Sequence, residues 1–332
     1  MKYPIKFTAG LLALALTWSC QKNSAPATSQ KTAETMTLAF YNLENLFDVV
    51  NDPNKDDEEF LPGSGIQWTK DRYYKKLTNM ASVIEKLGDA DGPELLGVCE
   101  IENRQVLEDL IAQPVLANRG YDIVHFESPD LRSIDVALIF KTAVFKPFES
   151  TAIAVTLPNA EEKTRDILKV KGTLHNDTIV VLVNHWPSKR GGAEESDPKR
   201  QAAAQAAREV VDQELVKNQQ AKIILIGDFN DTPDSEAITE TLKASKEMPQ
   251  IDRQLFNPFA QMAEEKKGSY YYKGEFEMID QMMLSKALLT DKTLQYVPNS
   301  ATIHQAEGIV EKEGKFAGAP LRTYAGKKYL GG

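Results

Sequence analysis

The sequence predicts a layered α/β fold in one globular body that begins near Met36. Several predicted strands are apolar on both faces, as in IVVLV, KIILI and ELLGV, which is typical of sheet buried between two layers. Strand-like and helix-like stretches alternate from Met36 to the last residue without a linker-like break, and no internal repeat is found. With 332 residues, 42% apolar and 26% charged, the chain can build a sizeable core. A wholly disordered or collagen-like protein is therefore excluded.

Hydrophobic periodicity places the elements of this fold. The predicted strands are Thr37–Tyr41, Glu94–Cys99, Tyr121–His125, Asp135–Phe140, Ile167–Thr173, Thr178–Val183, Lys222–Ile226 and Glu277–Leu284. The predicted helices are Asp71–Lys86, Arg104–Ala112, Asp197–Val216 and Ser235–Lys243.

The N-terminus is predicted to be an export signal. Lys2 and Lys6 precede an apolar run, Phe7–Leu16, that is too short to span a bilayer. Thr17-Trp18-Ser19-Cys20 follows and resembles a bacterial lipobox, in which Cys20 is acylated and becomes the mature N-terminus. We therefore expect a membrane-anchored lipoprotein in the periplasm or outer membrane, with a plain secretory signal as the alternative. Residues 21–35 are polar and predict a flexible tether, and residues 36–332 are predicted to form the globular domain.

Composition limits the functional classes. Removal of residues 1–20 takes away two lysines and no acids, which leaves a formal net charge of −11. Such a chain is not a generic DNA-coating protein, although local basic groups are able to bind one phosphate. Two cysteines and four histidines exclude a disulfide scaffold and favour a metal held by carboxylate and amide oxygens. If Cys20 carries lipid, Cys99 is left as a small core residue.

Polar residues follow four of the apolar strands at their carboxyl ends. Taken singly, such residues are ordinary turn or cap residues. Together they indicate a cleft along one edge of the sheet. The four segments are Tyr41–Asp48, Glu100–Asn103, Asn184–Ser188 and Gly227–Asp231.

The order of these segments, with the phrases YNLENLFD, NHWPS and GDFND and the late Ile279-Asp280, resembles the endonuclease/exonuclease/phosphatase superfamily and its exported bacterial branch. The resemblance runs from about Met36 to the last residue. It implies a DNase I-like fold: a four-layer α/β/β/α sandwich in which two mixed β-sheets are flanked by helices, with a catalytic cleft at one edge. We expect a monomer.

The resemblance also implies a metal-dependent phosphoester hydrolase. Glu100, with Asn42 beside it, resembles the superfamily's Mg²⁺ site, and Mn²⁺ is an alternative cation. Two simpler interpretations stay open: Glu100 pairs with Arg104 or a nearby lysine, and Asn42 forms an Asx-turn.

The resemblance assigns four catalytic roles. Asp228 orients or deprotonates the attacking water, and Asn230 hydrogen-bonds a phosphate oxygen. His185 donates to the phosphoryl oxygen in the transition state. Asp280 resembles the acid that orients a second, C-terminal histidine. His125, His175 and His304 match no motif and are expected to be surface or structural residues.

Four further residues are candidates for substrate binding: Arg132, Asn184, Lys189 and Arg190. Arg132 either forms a fork that grips a phosphate or pairs with Asp130 or Asp135. Lys189 and Arg190 either contact substrate or lie on a solvated loop. Tyr270-Tyr271-Tyr272 either stacks on a base or packs within a strand.

The C-terminal sequence departs from the superfamily pattern. Members finish with a Ser-Asp-His segment, but no Asp-His pair occurs in the 332 residues, which end at Tyr329-Leu330-Gly331-Gly332. Two interpretations are open: a fragment of an ordinary member, or a member that has lost this group and with it catalysis. Under either one, we expect the chain as printed to be nearly inactive and less stable.

Three functional classes follow from the sequence. The first is a nuclease-like phosphodiesterase that acts on extracytoplasmic nucleic acid or oligonucleotides. The second is a phosphatase or lipid phosphodiesterase of the same superfamily, which an acidic, membrane-tethered chain suits at least as well. The third is a non-catalytic binding lipoprotein on the same scaffold.

Overall fold

The computed structural model describes residues 35–88, 91–189, 191–306 and 308–332. The predicted signal peptide, Cys20, nearly all of the tether and Arg190 lie outside the described residues. Met36–Gly332 forms one compact unit. Among the described residues, none of the helices has both the length and the apolar character needed to span a bilayer.

Fifteen strands and five α-helices are found in the described residues. In chain order, the strands β1 to β15 are Leu38–Leu46, Leu95–Ile101, Tyr121–His125, Asp135–Lys141, Phe145–Ile153, Ile167–Leu174, Asp177–His185, Lys222–Asp228, Ala244–Ser245, Leu255–Phe256, Tyr270–Tyr272, Glu275–Glu277, Asp280–Ser285, Tyr324–Ala325 and Lys328–Tyr329. The helices α1 to α5 are Lys70–Ile84, Arg104–Ile111, Ala193–Lys217, Ala260–Glu264 and Ala287–Thr290. Short 3₁₀ turns cover Glu58–Phe60 and Gly314–Phe316, and a π-helical turn covers Ala237–Thr241.

Two mixed sheets form the centre of the fold. The first has the order β1-β2-β4-β3, and the second has the order β5-β6-β7-β8-β13-β10-β9. Within the first sheet β1 and β2 are parallel, and within the second β7 and β8 are parallel. Two small hairpins, β11-β12 and β14-β15, complete the described strands.

Three apolar cores separate four layers. Because side chains alternate across a strand, each sheet supplies one face to the central core and the other face to its helices. Leu95, Leu138 and Val181 meet between the two sheets, whereas Leu96 packs towards α1 and α2 and Leu182 towards α3. The predicted α/β/β/α sandwich is therefore confirmed. Cys99 is fully buried in the central core, as predicted.

Local signals set the ends of the first two helices. The side chain of Thr69 accepts a hydrogen bond from the backbone N–H of Arg72 at the start of α1. Asn103 does the same for Val106 at the start of α2, two residues after the end of β2. Such caps satisfy backbone donors that have no partner inside a helix.

The structure differs from several predicted boundaries. Strand β5 was not predicted, because it is an edge strand that is largely exposed and shows no alternation of buried and exposed residues. The predicted strand Glu277–Leu284 divides, so that Glu277 ends β12 and β13 begins at Asp280. The predicted helix Ser235–Lys243 is reduced to the π-helical turn, and α3 begins four residues earlier than predicted.

Candidate active site

The strand register brings His185, Asp228 and Asp280 into one row. His185 is opposite Asp228 in the parallel pair β7-β8, and Asp228 is opposite Asp280 in the antiparallel pair β8-β13. Asn42 on β1 and Glu100 on β2 approach this row from the other sheet, where Asn42 is opposite Cys99. The polar edge that the sequence predicted is therefore formed by both sheets at once.

Glu100 lies at an irregularity in its strand. Register shifts interrupt both pairings of β2 at this point, and Glu100 has a φ of 57°, in the left-handed region that a non-glycine residue seldom adopts. Bulges and strained backbone of this kind redirect side chains at functional sites. The Oε2 atom of Glu100 accepts a hydrogen bond from Asn45 N (3.0 Å), and its Oε1 atom lies 3.9 Å from Nε2 of His185. Arg104 pairs with Glu108 instead of Glu100.

Asn42 holds Asp228 in position. Its Nδ2 atom donates to Oδ2 of Asp228 (3.1 Å), while its Oδ1 atom accepts from Glu44 N (2.8 Å). The second bond is an Asx-turn, so the simpler interpretation of Asn42 is observed together with a contact to the site. The other oxygen of Asp228 accepts from Asn230 N (2.9 Å), and Nδ2 of Asn230 donates to Trp186 O (2.9 Å). Both oxygens of Asp228 are thus oriented by amides.

His185 is an almost fully buried imidazole. Its Nε2 atom faces Glu100 and lies 4.0 Å from Oδ2 of Asp228, while its Nδ1 atom is buried without a hydrogen-bond partner among the described residues. Burial, with the nearby charges of Arg165 and Arg132, holds the pKa of His185 well below its usual range. At neutral pH the ring is neutral and carries one N–H donor.

The two buried acids Asp228 and Asp280 have raised pKa values. Burial, followed by the charges of Asp280 and Glu100, raises the pKa of Asp228 well above its usual range. Burial and the charge of Glu100 also raise the pKa of Asp280 to about 6, and Oδ1 of Asp280 is buried without a partner among the described residues. Crowded carboxylates with an unsatisfied oxygen are a hard-oxygen donor set, which fits Mg²⁺ or Mn²⁺. Glu100 and Asn42 lie beside these acids and are the residues that could hold such a cation.

Arg165 is a site residue that the sequence analysis missed. Its guanidinium is buried, donates from Nη1 to Oδ2 of Asp130 (3.2 Å) and from Nη2 to Trp186 O (2.6 Å), and has a buried Nε without a partner in the described residues. It precedes β6, which runs antiparallel to β7, so the beginning of β6 reaches the end of β7 beside His185. The sequence search followed only the carboxyl ends of strands. The polar run Thr164-Arg165-Asp166 directly before an apolar strand was the available signal.

Comparison with known proteins decides the family. The profile described as "Endonuclease/Exonuclease/phosphatase family" matches residues 37–332, which is nearly the whole of the compact unit. The chain belongs to the endonuclease/exonuclease/phosphatase family. A search of curated protein sequences finds no match.

Solved structures similar to this family member include three from different organisms. The human Nocturnin catalytic domain with bound sulfate is 18% identical, with 66% of this chain and 76% of that chain covered and a TM-score of 0.48. A humanized D. rerio TDP2 is 14% identical, with 76% and 84% covered and a TM-score of 0.48. An endonuclease/exonuclease/phosphatase family protein from Bacteroides thetaiotaomicron is 14% identical, with 75% and 83% covered and a TM-score of 0.47.

The predicted substrate-binding residues of this family member divide into two groups. Arg132 is partly exposed and pairs with Asp130 (3.3 Å), and Lys189 lies 3.7 Å from both Asp231 and Glu277. Both remain candidates for substrate contact. The structure corrects the prediction that Asn184 binds substrate, because this residue is fully buried. Its Nδ2 atom donates to the carbonyls of Leu182 and Ile226, and its Oδ1 atom accepts a hydrogen bond from Trp186 Nε1. Its amide is structural because it has no surface to offer a substrate.

The buried acid Glu102 makes the stability of this family member depend on pH. The side chain is buried, and burial, with the charges of Asp48 and Asp57, raises its pKa to about 8 although it accepts a bond from Asp48 N (2.7 Å). An acid whose pKa rises on folding costs stability as pH increases from its unfolded value, about 4.5, to its folded value. The folded wild-type chain therefore loses stability between about pH 4.5 and pH 8 through this group.

We expect Glu102→Gln to remove this loss. The difference in melting temperature between the variant and the wild type should grow by about 5 °C between pH 4.5 and pH 8 and then level off. Thermal denaturation at a series of pH values in EDTA measures it. Glu161→Gln, at an exposed glutamate, is the control for the removal of one acid from the chain. A flat difference for Glu102→Gln would show that Glu102 is ionised at no cost in the fold.

Proposed function

We propose that this chain is a divalent-metal-dependent phosphodiesterase that cleaves nucleic acid or oligonucleotides outside the cytoplasm. The observation that carries the proposal is the convergence of Glu100, Asn42, His185, Asp228 and Asp280 from two sheets on one cleft. Acids that crowd one another, a neutral imidazole and a buried arginine are the groups that hydrolysis of an anionic ester requires.

The side chains have distinct tasks in this proposal. Asp228, oriented by Asn42 and Asn230, accepts the proton of the attacking water, and its raised pKa increases its strength as a base. The neutral ring of His185 donates a hydrogen bond to a phosphoryl oxygen. Asn230 binds a phosphate oxygen once its amide leaves Trp186 O. Asp280 stabilises the arrangement of the row. A cation held by Glu100 and Asn42 supplies Lewis-acid stabilisation of the phosphoryl oxygens when bound.

Arginine contributes the positive charge that an acidic chain otherwise lacks here. Arg165 is buried beside His185, and Arg132 lies on the loop that precedes β4. Both arginines form ion pairs with Asp130. Their charges already act on His185. An incoming phosphate is therefore attracted over a short range, which is compatible with the net negative charge of the whole chain.

One observation favours a nucleic-acid substrate over a lipid or a simple monoester. Tyr270 and Tyr272 point to the same side of β11, and their rings are nearly parallel, with centroids 6.2 Å apart and 18° between the planes. Both are exposed, whereas Tyr271 packs against Phe276 and Phe316. The hairpin is joined to the cleft by the hydrogen bond from Asp280 N to Ser269 Oγ (3.0 Å). Stacking on such rings is a sequence-tolerant way to hold a base.

A panel of phosphoesters tests the proposal. Residues 21–332 are incubated with single-stranded and double-stranded oligonucleotides, nucleoside monophosphates, inositol phosphates and phospholipids in Mg²⁺, Mn²⁺ or EDTA. We expect oligonucleotide cleavage that requires the cation. A form extended after Gly332 by a Ser-Asp-His-containing strand is assayed beside it, which tests the expectation from the sequence that the chain without this segment is nearly inactive.

Each other result identifies a different function. Release of phosphate from monoesters, or of headgroups from lipids, with oligonucleotides intact would support the phosphatase or lipid phosphodiesterase. Absence of metal-dependent turnover with every ester, in both forms, would support a non-catalytic binding protein. Equal and strong hydrolysis by both forms would show that an added Asp-His pair is unnecessary.

The location is also a proposal. The lipobox-like Thr17-Trp18-Ser19-Cys20 favours acylation of Cys20 and anchoring of the domain to a membrane through residues 21–35. Mass spectrometry of the mature N-terminus, in wild type and in Cys20→Ser, tests it. An unmodified N-terminus that begins after another cleavage point would favour a secreted protein.

A further inference from the structure

A second group of metal-type ligands lies at the ends of β3 and β4. His125 is the last residue of β3, Asp135 is the first residue of β4, and Glu127 follows His125 by two residues. One ligand atom from each of the three lies within 4.8 Å of the others. The side chains of His125 and Asp135 are 4% and 0% exposed, whereas Glu127 is at the surface. The group therefore has a buried floor and one open side.

The separation between His125 and Asp135 fits the coordination shell of a small divalent cation. Ligand atoms at about 2.1 Å from an octahedral cation lie about 3.0 Å apart when adjacent and about 4.2 Å apart when opposite. The Nε2 atom of His125 lies 3.0 Å from Oδ2 of Asp135, and all three ligand atoms fall within the 4.8 Å limit. A cation can thus be accommodated with small movements of the side chains.

The charges also call for a cation. A carboxylate oxygen of Glu127 and one of Asp135 lie within 4.8 Å of each other, and two carboxylates at this separation repel each other unless a proton or a cation lies between them. Asp166 is a further acid close to Asp135. The basic groups nearby are His125 and Lys55, but Nζ of Lys55 is directed at the carbonyls of Ser128 (3.3 Å) and Asp130 (3.4 Å). The acids therefore outnumber the cations that face them.

We propose that His125, Glu127 and Asp135 form a second divalent-cation site, separate from the one at Glu100. One imidazole nitrogen with two carboxylate oxygens is a ligand set that suits Zn²⁺ or Mn²⁺ better than Mg²⁺. The open side next to Glu127 leaves room for water ligands. His125 thereby becomes a ligand, where the sequence predicted a surface or structural residue.

The position of this site gives it an effect on the cleft. His125 and Asp135 are the two ends of the loop 126–134, which carries Asp130. Asp130 pairs with Arg132 and Arg165, and Arg165 bonds the carbonyl next to His185. A cation that joins both ends of the loop would restrict the loop and the two arginines with it. We expect its loss to weaken substrate binding more than the chemical step.

Direct metal binding tests the site without substrate. The full chain is freed of metal and titrated with Mn²⁺, with free Mn²⁺ counted by electron paramagnetic resonance. We expect two sites in the wild type, one in Glu127→Gln and one in Glu100→Gln. Glu59→Gln, at an exposed glutamate, is the matched control and should keep two. Because no turnover is measured, this result does not depend on the proposed phosphodiesterase.

A second probe identifies the nitrogen ligand. Co²⁺ added to Glu100→Gln should give a visible spectrum whose bands shift in His125→Gln, and Zn²⁺ should displace the Co²⁺. Circular dichroism checks that each variant is folded. If His125→Gln, which alters a buried side chain, unfolds the protein, the surface variant Glu127→Gln still tests the site. Equal Mn²⁺ stoichiometry in wild type and Glu127→Gln, or a Co²⁺ spectrum that is unchanged by His125→Gln, overturns the proposal.

Discussion

Glu100→Gln is expected to abolish metal-dependent turnover, with a loss in kcat of at least about a hundredfold. The substitution removes the charge that holds the cation but keeps the volume of the side chain. The amide oxygen of glutamine can still accept the bond from Asn45 N that positions residue 100. We therefore expect a folded protein whose melting temperature, in EDTA, is equal to or above that of the wild type, because one of the crowded acids is gone.

The measurement is kcat as a function of Mg²⁺ and Mn²⁺ concentration, for both forms of the chain used in the phosphoester panel. Glu108→Gln is the control, since it lies on α2 close in sequence but pairs only with Arg104 at the surface. It should leave turnover unchanged. Undiminished metal affinity and turnover in Glu100→Gln would remove Glu100 from the metal site.

Asp228→Asn is expected to lower kcat by about a hundredfold or more while metal binding is largely retained. Asparagine preserves the shape of the side chain and can still accept the hydrogen bond from Asn230 N. It cannot accept the proton of the attacking water. The asparagine side chain at position 228 has one oxygen where the carboxylate has two, so it can accept a hydrogen bond from Asn42 Nδ2 or from Asn230 N but its NH₂ cannot accept the other. The amide is therefore held less firmly than the carboxylate.

Single-turnover rates and Mn²⁺ affinity separate the two roles of Asp228. A slow rate with normal affinity supports the role as base, whereas loss of both would make Asp228 a metal ligand. Asp234→Asn, at an exposed aspartate six residues further along the chain, is the control and should change neither. An unchanged rate in Asp228→Asn would reduce the GDFN segment to a turn.

The sequence by itself determined the buried strands and the residues that follow them. Strands β3, β4, β6, β7 and β8 were predicted within a few residues, because continuous apolar runs bounded by polar residues have few other uses in a folded chain. The polar segments at the carboxyl ends of β1, β2, β7 and β8 were found for the same reason, and they supply Asn42, Glu100, His185, Asp228 and Asn230 of the candidate active site. The edge strand β5 was missed, because half-exposed residues carry no such pattern.

The tertiary structure alone decided how these residues meet and which others join them. The row of His185, Asp228 and Asp280 depends on strand register, which is set by contacts between segments about 40 to 50 residues apart in the chain. Tertiary structure also decided the role of Asn184, which looks like a turn residue in the sequence but has a fully buried side chain. It likewise brings Arg165 to the site, because β6 runs antiparallel to β7. The local sequence determines whether a residue lies in a strand, but its partners in the two sheets depend on packing between segments that are distant in the chain. No local sequence pattern contains that information.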